Sequence, residues 1–189
     1  LVCGGPAAPC ARSRAHGLEA VQAATASLLE AFAADALGTA ARDALVEEAQ
    51  LTPKPGLIDL ANNGAHRDMD LESFRRSAQA LTPYFKQAVQ IGLSHPGSGP
   101  AMEALRPAGI AAEAAMLEAT GGANTHKGLI YALGLLLCAM GQTLAGGGEN
   151  YINHARQLAN IGLPEALRRA KAAPCSHGER IYAHRGVLG

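Results

Sequence analysis

Residues 126–144, HKGLIYALGLLLCAMGQTL, form a mostly apolar stretch whose length and composition predict one buried helix. Thr125 lies directly before it and can cap its first turn, and the glycines at 146–148 predict a flexible link after it. The longest apolar run, Leu129 to Met140, is well short of the roughly 20 residues that span a bilayer. We therefore expect a core helix of a globular protein, and no membrane partner.

The composition of the whole chain favours an all-α fold with a single domain. Hydrophobic residues make up 48% of the 189 residues, charged residues 17% and aromatic residues 4%, with no tryptophan. Much of the apolar share is alanine, the best helix former, whereas strand-forming aromatic and β-branched residues are scarce. A chain of this length fits one domain with a single core, to which we assign residues 17–189. Residues 1–16 lack periodicity and predict a flexible lead.

Helical periodicity extends on both sides of the apolar stretch. The other predicted helices are two within 17–49 that divide at Gly38-Thr39, one at about 71–93, one at about 101–119 that Pro107 interrupts, one near 150–161, one near 164–172 and the start of another from 176. Asp70 is placed to cap the helix that begins at residue 71. Pro53 and Pro55 exclude a helix before it, so residues 52–69 are predicted to form a long loop.

The charge balance limits the classes of partner. The chain has 16 basic and 16 acidic side chains and a net charge of zero, so no generally basic surface for nucleic acid is indicated. A local basic pocket for a phosphorylated small molecule is compatible with this balance. The four cysteines form no CxxC pair, and Cys138 lies in the apolar stretch, where a reduced, buried thiol is expected. Such cysteine usage fits a cytoplasmic protein.

The loop is the first segment that can carry chemistry. Residues 52–70 read TPKPGLIDLANNGAHRDMD, and they bring basic and acidic side chains together with Gly56 and Gly64. Carboxylates can bind Mg²⁺, Lys and Arg can bind phosphate, and glycines allow a phosphate to approach the backbone. The structural alternative is a solvated loop in which Asp70 caps the next helix. The composition of the segment does not decide between the two.

A second segment, TGGANTHKG at 120–128, combines two glycines with a capped helix start. Free N–H groups and the helix dipole at such a turn favour an anion. The segment is not a phosphate-binding P-loop, because His126 stands where that motif needs glycine and no Ser or Thr follows Lys127. The structural alternative is a C-cap at Gly121 joined to an N-cap at Thr125. It leaves Asn124 unexplained together with His126 and Lys127.

A third candidate is Glu113, which is surrounded by Ala, Ile and Met in AGIAAEAAMLEATGG at 108–122. A carboxylate held against apolar neighbours is a candidate base or metal ligand. The alternative is a solvent-facing glutamate on an alanine-rich helix. Glu47 and Glu48, just before the loop, are open to the same two interpretations.

These segments, in this order, resemble the triphosphoribosyl-dephospho-CoA synthase family. The matching stretches are TPKPGLIDLANNGAHRDMD (52–70), LESFRRSAQAL (71–81), LRPAGIAAEAAMLEATGGANTHKG (105–128) and, more weakly, HGERIYAHRGVLG (177–189). The resemblance runs from about Glu47 to the C-terminus. Family members continue with a Gly-x-Arg-Gly-Glu-Ala segment and further helices, so the resemblance implies that this chain is truncated at its C-terminus.

The resemblance implies a transferase that moves the triphosphoribosyl group of ATP onto 3′-dephospho-CoA and releases adenine. The product is the prosthetic-group precursor for citrate lyase or malonate decarboxylase. The implied displacement at the anomeric carbon of the ribose should pass through an oxocarbenium-like transition state, by analogy with glycoside chemistry. The site must therefore hold a triphosphate, deprotonate a hydroxyl and assist the departure of adenine.

We assign the candidate residues to these tasks as a hypothesis. Binding of substrate and phosphate is assigned to Lys54, Asp59, Gly121, Gly122, Asn124, Thr125, His126 and Lys127. The magnesium ligands are expected to be Asp68, Asp70 and Glu113. The catalytic set, which includes the base, is Glu48, His66, Asp68, Asp70 and Glu113. Of these, His66 and Asn124 are expected to orient the substrate or the leaving adenine.

Three other functions stay open on the sequence alone. A helical, magnesium-dependent hydrolase of nucleotide or ADP-ribosyl bonds could use the same carboxylates with water as the acceptor. A non-catalytic ATP-binding protein would bind ATP without releasing adenine. A purely structural helical protein gives no reason for two polar, glycine-rich motifs. The alanine-rich helical faces are compatible with a homodimer.

Overall fold

A computed structural model of the chain describes residues 2–146, 150–174 and 177–186. Within these residues the regular structure is entirely helical, which confirms the predicted all-α class. In chain order the helices are α1 (Ala7–Ser13), α2 (Leu18–Gln50), α3 (Leu71–Ser94), α4 (Ser98–Thr120), α5 (Lys127–Gly146), α6 (Tyr151–Ala172) and α7 (His177–Arg185).

The core forms around α3, which packs against α2, α4 and α5. Its residues Leu81, Phe85 and Val89 are fully buried, and they meet Met116 of α4 and Cys138 of α5 in the same cluster. Cys138 is fully buried, as the sequence predicts, and this burial raises the pKa of its thiol to about 11. Helix α6 packs against α5 and α4 and closes the other side of the bundle.

Helix α5 confirms the predicted core helix, although its ends differ slightly from the prediction. By length and composition alone its 20 residues could cross a membrane, with a mean hydropathy of 1.7. Its buried face, which carries Ile130 and Cys138, packs against α3. Core helices of globular proteins have the same composition, so the hydropathy alone does not identify α5 as a membrane-spanning helix. Residues 147 and 148 of the predicted link lie outside the described residues.

Three predicted helix breaks are wrong, because the effect of a glycine or a proline on a helix depends on what surrounds it in the fold. Helix α2 is continuous through Gly38, where an added Cβ would lie 2.9 Å from the backbone nitrogen of Lys86. That glycine therefore allows α2 and α3 to approach each other. Helices α4 and α6 continue through Pro107 and Pro164, both of which face solvent. Water can bind the carbonyls that these prolines leave without a helical partner.

The stretch predicted as a flexible lead, residues 1–16, contains the short helix α1. After it, the N-terminal half of α2 up to residue 33 has no buried residue, and Leu18, Leu29 and Phe32 are exposed there. The buried residues of α2 are all in its second half, from Ala34 to Ala49. The second half of α2 therefore belongs to the bundle and delivers the chain to the 52–70 loop.

Candidate active site

Four helix ends and the 52–70 loop meet at one end of the bundle. The Arg76 guanidinium near the start of α3 donates from Nε to the carbonyl of Ala119 at the end of α4, at 3.1 Å. The Thr125 hydroxyl, just before α5, donates to Ser77 Oγ on α3 at 2.7 Å. Lys54 of the loop reaches back to Glu48 on the last turn of α2. The two motifs found in the sequence are therefore neighbours in space.

Asp59 organises the loop from within. It is only 5% exposed, and its carboxylate accepts backbone N–H bonds from Lys54 at 3.0 Å, Ala61 at 2.8 Å and Asn62 at 3.0 Å. These donors hold the pKa of Asp59 below its usual range, with the Lys54 N–H contributing most. All of the contacts are internal, so the structure makes Asp59 a loop-forming residue, and it gives no support to the expected role in substrate binding.

Gly64 closes the same loop onto itself. It has a φ of 56°, and an added Cβ would lie 2.5 Å from the carbonyl carbon and oxygen of Gly56. The next residue, Ala65, donates its N–H to that carbonyl at 3.1 Å. The glycines of this motif therefore serve the shape of the loop, which holds His66 and Asp68 at its outer edge.

Lys54 is held at the end of α2. Its ammonium contacts the carbonyl oxygen of Glu48 at 2.8 Å and the carboxylate Oε1 of Glu48 at 3.1 Å. The Lys54 side chain is 15% exposed, while that of Glu48 is 59% exposed. A largely buried cation beside an exposed carboxylate can exchange that partner for a phosphate, and the expected role of Lys54 stays a prediction.

The carboxylates at the end of the loop differ in how they are engaged. Asp70 accepts hydrogen bonds from the N–H and the hydroxyl of Ser73, both at 2.7 Å, and forms the capping box of α3. These bonds, the hydroxyl first, lower the pKa of Asp70. Asp68 is exposed and lies 4.0 Å from Nδ1 of His66. Asp70 is thus the predicted cap, and Asp68 is the more open of the two carboxylates.

His126 is buried, against the expectation that it grips phosphate. It is 3% exposed, packs edge-on against Phe74 with ring centroids 4.9 Å apart, and its Nδ1 lies 2.7 Å from Ser77 Oγ. Burial lowers its pKa to about 4, although the nearby Glu48 carboxylate acts in the opposite direction. A neutral, enclosed imidazole positions the start of α5 on α3 and is a poor ligand for a phosphate.

This burial predicts a stability change with pH. An unfolded histidine titrates near 6.5 and folded His126 near 4, so the unfolded state binds more protons as the pH falls between these values. The contribution of His126 is complete above pH 6.5 and is lost on acidification, by up to about 3 kcal/mol near pH 4. Urea unfolding at pH 7 and 4.5 should show a smaller pH difference for His126→Gln than for the unchanged protein. The control His66→Gln removes a half-exposed imidazole and should keep the full difference.

The Gly121-Gly122 turn ends α4. Gly121 has a φ of 67° and Gly122 a φ of 94°, and their N–H groups donate to the carbonyls of Glu118 and Leu117. The structure therefore realises the structural alternative, a helix C-cap, and leaves these two N–H groups engaged. Asn124, and not Thr125, supplies the capping oxygen of α5, since its Oδ1 accepts from the Lys127 N–H at 3.2 Å.

Lys127 and Glu113 form an ion pair across α5 and α4. The distance from Lys127 Nζ to Glu113 Oε1 is 2.7 Å, and the two side chains are 44% and 33% exposed. The pair lies in the wall of a cavity of about 640 Å³ between α4, α5 and α6. Most of that wall is apolar, and the other charged side chains that the described residues contribute to it are Arg106 and Arg169.

The three predicted magnesium ligands are not assembled into a cluster. Among the described residues, the one group of three or more potential metal ligands with mutually close atoms is Cys3, Cys10 and His16. Asp70 is engaged in the helix cap and Glu113 in the ion pair, which leaves Asp68 as the most open carboxylate. Mg²⁺ commonly takes one or two carboxylates together with substrate phosphates and water. Asp68 fits such an ion when a polyphosphate completes the coordination.

Sequence reasoning missed several residues of this end of the bundle. Arg76 and Ser77 connect α3 to the neighbouring helix ends, and Arg106 and Arg169 line the cavity. Only Arg76, Ser77 and Arg106 fall within the stretches that carry the resemblance. Spacing along the sequence could have suggested that Ser77 is buried, since it lies four residues before the buried Leu81.

Residues 34–186 match the model of the CitG family, described as ATP:dephospho-CoA triphosphoribosyl transferase. The chain belongs to this family. A probable 2-(5''-triphosphoribosyl)-3'-dephosphocoenzyme-A synthase of Vibrio cholerae is 43% identical to it over 160 residues, which cover 81% of this chain and 51% of that protein. A 2-(5''-triphosphoribosyl)-3'-dephosphocoenzyme-A synthase of Pectobacterium atrosepticum is 44% identical over 153 residues, covering 77% of this chain and 50% of that protein.

The family match covers the end of the bundle that holds the candidate site, but the chain does not cover the whole length of its relatives. The chain spans about half the length of these two synthases. The family match includes the 52–70 loop, the Gly121-Gly122 turn and the Lys127–Glu113 pair, and it begins after the exposed half of α2. No solved structure matches the chain.

Proposed function

We propose that this chain transfers the triphosphoribosyl group of ATP to 3′-dephospho-CoA. The observation that carries the proposal is the Lys127–Glu113 ion pair in the wall of a largely apolar cavity that also has Arg106 and Arg169 in its wall. Cations can hold the phosphates of both substrates, and apolar walls can hold an adenine ring or the pantetheine arm. The family membership supports the same two substrates.

The proposed reaction breaks the bond between the ribose anomeric carbon of ATP and N9 of adenine. It forms a bond between that carbon and the 2′ oxygen of dephospho-CoA. The hydroxyl proton goes to a carboxylate, and adenine leaves as the neutral base after it takes up a proton. Such a transition state carries positive charge on the sugar, so a carboxylate close to the ring both accepts the proton and stabilises that charge.

We assign the base to Glu113, which is the one carboxylate among the described residues that line the cavity. Lys127 and Lys54 contact phosphates, and each is already placed beside a carboxylate that it can release. His66 is half-buried and Asn124 is exposed. Both lie at the same end of the bundle, where they can orient the substrates. His126 acts through position alone, because its buried ring holds α5 against α3.

Mg²⁺ belongs to the proposal as the companion of ATP. Asp68 would hold it from the protein side, with phosphate oxygens as the other ligands, and the ion would neutralise phosphate charge when bound. The protein's own residues bind the nucleotide, position the hydroxyl and accept its proton. A cytoplasmic location and the use of ATP follow from the same proposal.

Adenine release tests the proposal directly. The chain is incubated with ATP and Mg²⁺, with and without 3′-dephospho-CoA, and adenine is measured by chromatography while the adduct is identified by its mass. We expect adenine only when dephospho-CoA is present. CoA is the matched control acceptor, since its 3′-phosphate sits next to the attacking hydroxyl and should suppress the reaction.

Two outcomes would contradict the transferase. Adenine that appears at the same rate without an acceptor would identify a hydrolase that uses the same carboxylates with water. ATP binding in calorimetry without any adenine release would identify a nucleotide-binding chain. Each outcome selects one of the three alternatives that the sequence leaves open.

A further inference from the structure

The segment before α2 is folded without a hydrophobic core. Helix α1 contacts no other helix of the described part of the chain, and none of its residues is buried. It is seven residues long, and a helix of this length is unstable in water on its own. Some other interaction must hold residues 2–16 in the compact turn that they adopt.

Three potential metal ligands lie at the centre of that turn. Between residues 2 and 20, the half-buried positions are Cys3, Gly5, Cys10 and His16, and the rest are exposed. The Cys3 and Cys10 sulfur atoms are 3.4 Å apart, and His16 Nε2 is 3.1 Å from Cys3 Sγ. The ligand atoms of all three residues lie within 4.8 Å of one another. The segment is thus folded around its thiols and imidazole.

We propose that Cys3, Cys10 and His16 bind a Zn²⁺ ion that folds this segment. Zinc is coordinated tetrahedrally at about 2.3 Å from thiolate sulfur and about 2.0 Å from imidazole nitrogen. Those bonds place two sulfurs about 3.8 Å apart and a sulfur about 3.5 Å from a nitrogen. The observed separations are a few tenths of an ångström shorter, so small side-chain rotations admit the ion. A water molecule or another ligand would complete the tetrahedron.

The chemistry of the ligands agrees with a soft divalent metal. Each thiol gives up its proton when it binds, and the ion takes two thiolates and one neutral imidazole. Gly5 adjoins these ligands, since an added Cβ on it would lie 3.6 Å from the Cys3 sulfur. A disulfide between the two cysteines would not account for His16 at 3.1 Å from Cys3.

The site is independent of the transferase proposal. The family match begins at residue 34, well beyond His16, and the cavity is lined by residues from Tyr84 onward. Its role is structural, because the ion replaces the missing hydrophobic core of a short segment. Failure of either proposal therefore leaves the other unaffected.

Metal content and cobalt substitution test the site in the whole chain. The reduced protein is loaded with Zn²⁺, desalted and analysed for bound zinc, with an expected content of about one ion per chain. Replacement by Co²⁺ should give the thiolate charge-transfer and tetrahedral d–d absorption bands. Hydrogen exchange of residues 2–16 should slow when zinc is added, since the ion stabilises the fold of that segment.

Three variants and one control locate the ligands. Cys3→Ser, Cys10→Ser and His16→Ala should each weaken zinc binding by about 100-fold or more. Cys138→Ser removes a cysteine buried in α5 and should leave the zinc content unchanged. The proposal would be overturned if the isolated protein contained a Cys3–Cys10 disulfide and the protein, after reduction, bound no zinc. Zinc retained in His16→Ala at the affinity of the unchanged protein would overturn it as well.

Discussion

Gly92→Ala is expected to lower the free energy of unfolding by about 3 kcal/mol or more, because it separates α3 from α5. An added Cβ on Gly92 would lie 1.9 Å from the carbonyl oxygen of Cys138. One turn along α5, a Cβ on Gly141 would lie 2.2 Å from the carbonyl oxygen of Val89. Both obstacles are backbone atoms, so no side-chain rotation relieves them, and the two helices would have to move apart.

The measurement is urea unfolding followed by circular dichroism, because the chain has no tryptophan for a fluorescence signal. The control is Gly99→Ala in the first turn of α4, where an added Cβ meets nothing within 4 Å. Alanine has the higher helix propensity, so this control should be neutral or more stable by up to about 1 kcal/mol. A Gly92→Ala protein with an unchanged unfolding midpoint would show that the backbones of α3 and α5 do not approach so closely.

The same crossing explains which parts of the fold the sequence could predict. The all-α class, the apolar helix α5 and the Asp70 cap depend on composition and on neighbouring residues, and each was predictable. Local rules predict helix breaks at Gly38 and Pro107, because glycine and proline disfavour helices. Their effect depends on what faces them, which is the backbone of α3 for Gly38 and solvent for Pro107. That information is tertiary and is absent from local rules.

The site shows the same division between residue identity and residue role. The sequence predicts that His126 and Lys127 act together at a helix start. In the structure the His126 side chain is buried, whereas the Lys127 side chain is exposed. His126 shares a face with the buried Ile130 and Leu137, at spacings of four and eleven residues, and the 3.6-residue period could have revealed this. Similarly, Asp59 lies in a predicted loop, where aspartate commonly forms an Asx-turn by accepting the N–H of the residue two positions on, here Ala61. Both signals were present in the sequence.

Contacts between distant residues were beyond reach of the sequence. Glu113 was ambiguous because the polarity of its neighbours along α4 did not reveal what faces it. The structure pairs it with Lys127, which is brought over by the turn at Gly121-Gly122 and the start of α5. Arg169 joins the same cavity from α6. Only the packing of three helices brings these charges together.

Lys127→Met and Glu113→Gln are expected to abolish most of the proposed transferase activity while the protein stays folded. Loss of the ammonium removes a phosphate contact and should lower kcat/KM for ATP by about 100- to 1000-fold. Loss of the proposed base should lower kcat by about 100-fold or more and change KM for ATP little. Both side chains are about one-third or more exposed, so their ion pair contributes within about 1 kcal/mol to stability.

The control for these variants is a second half-exposed ion pair between α3 and α2, which joins Lys86 to Asp35. Lys86→Met removes the same charge at a similar exposure and lies outside the cavity, so adenine release should be unchanged. Activity within threefold of the unchanged protein in Lys127→Met would contradict a phosphate contact at this pair, since a lost charge-assisted hydrogen bond costs more than that factor.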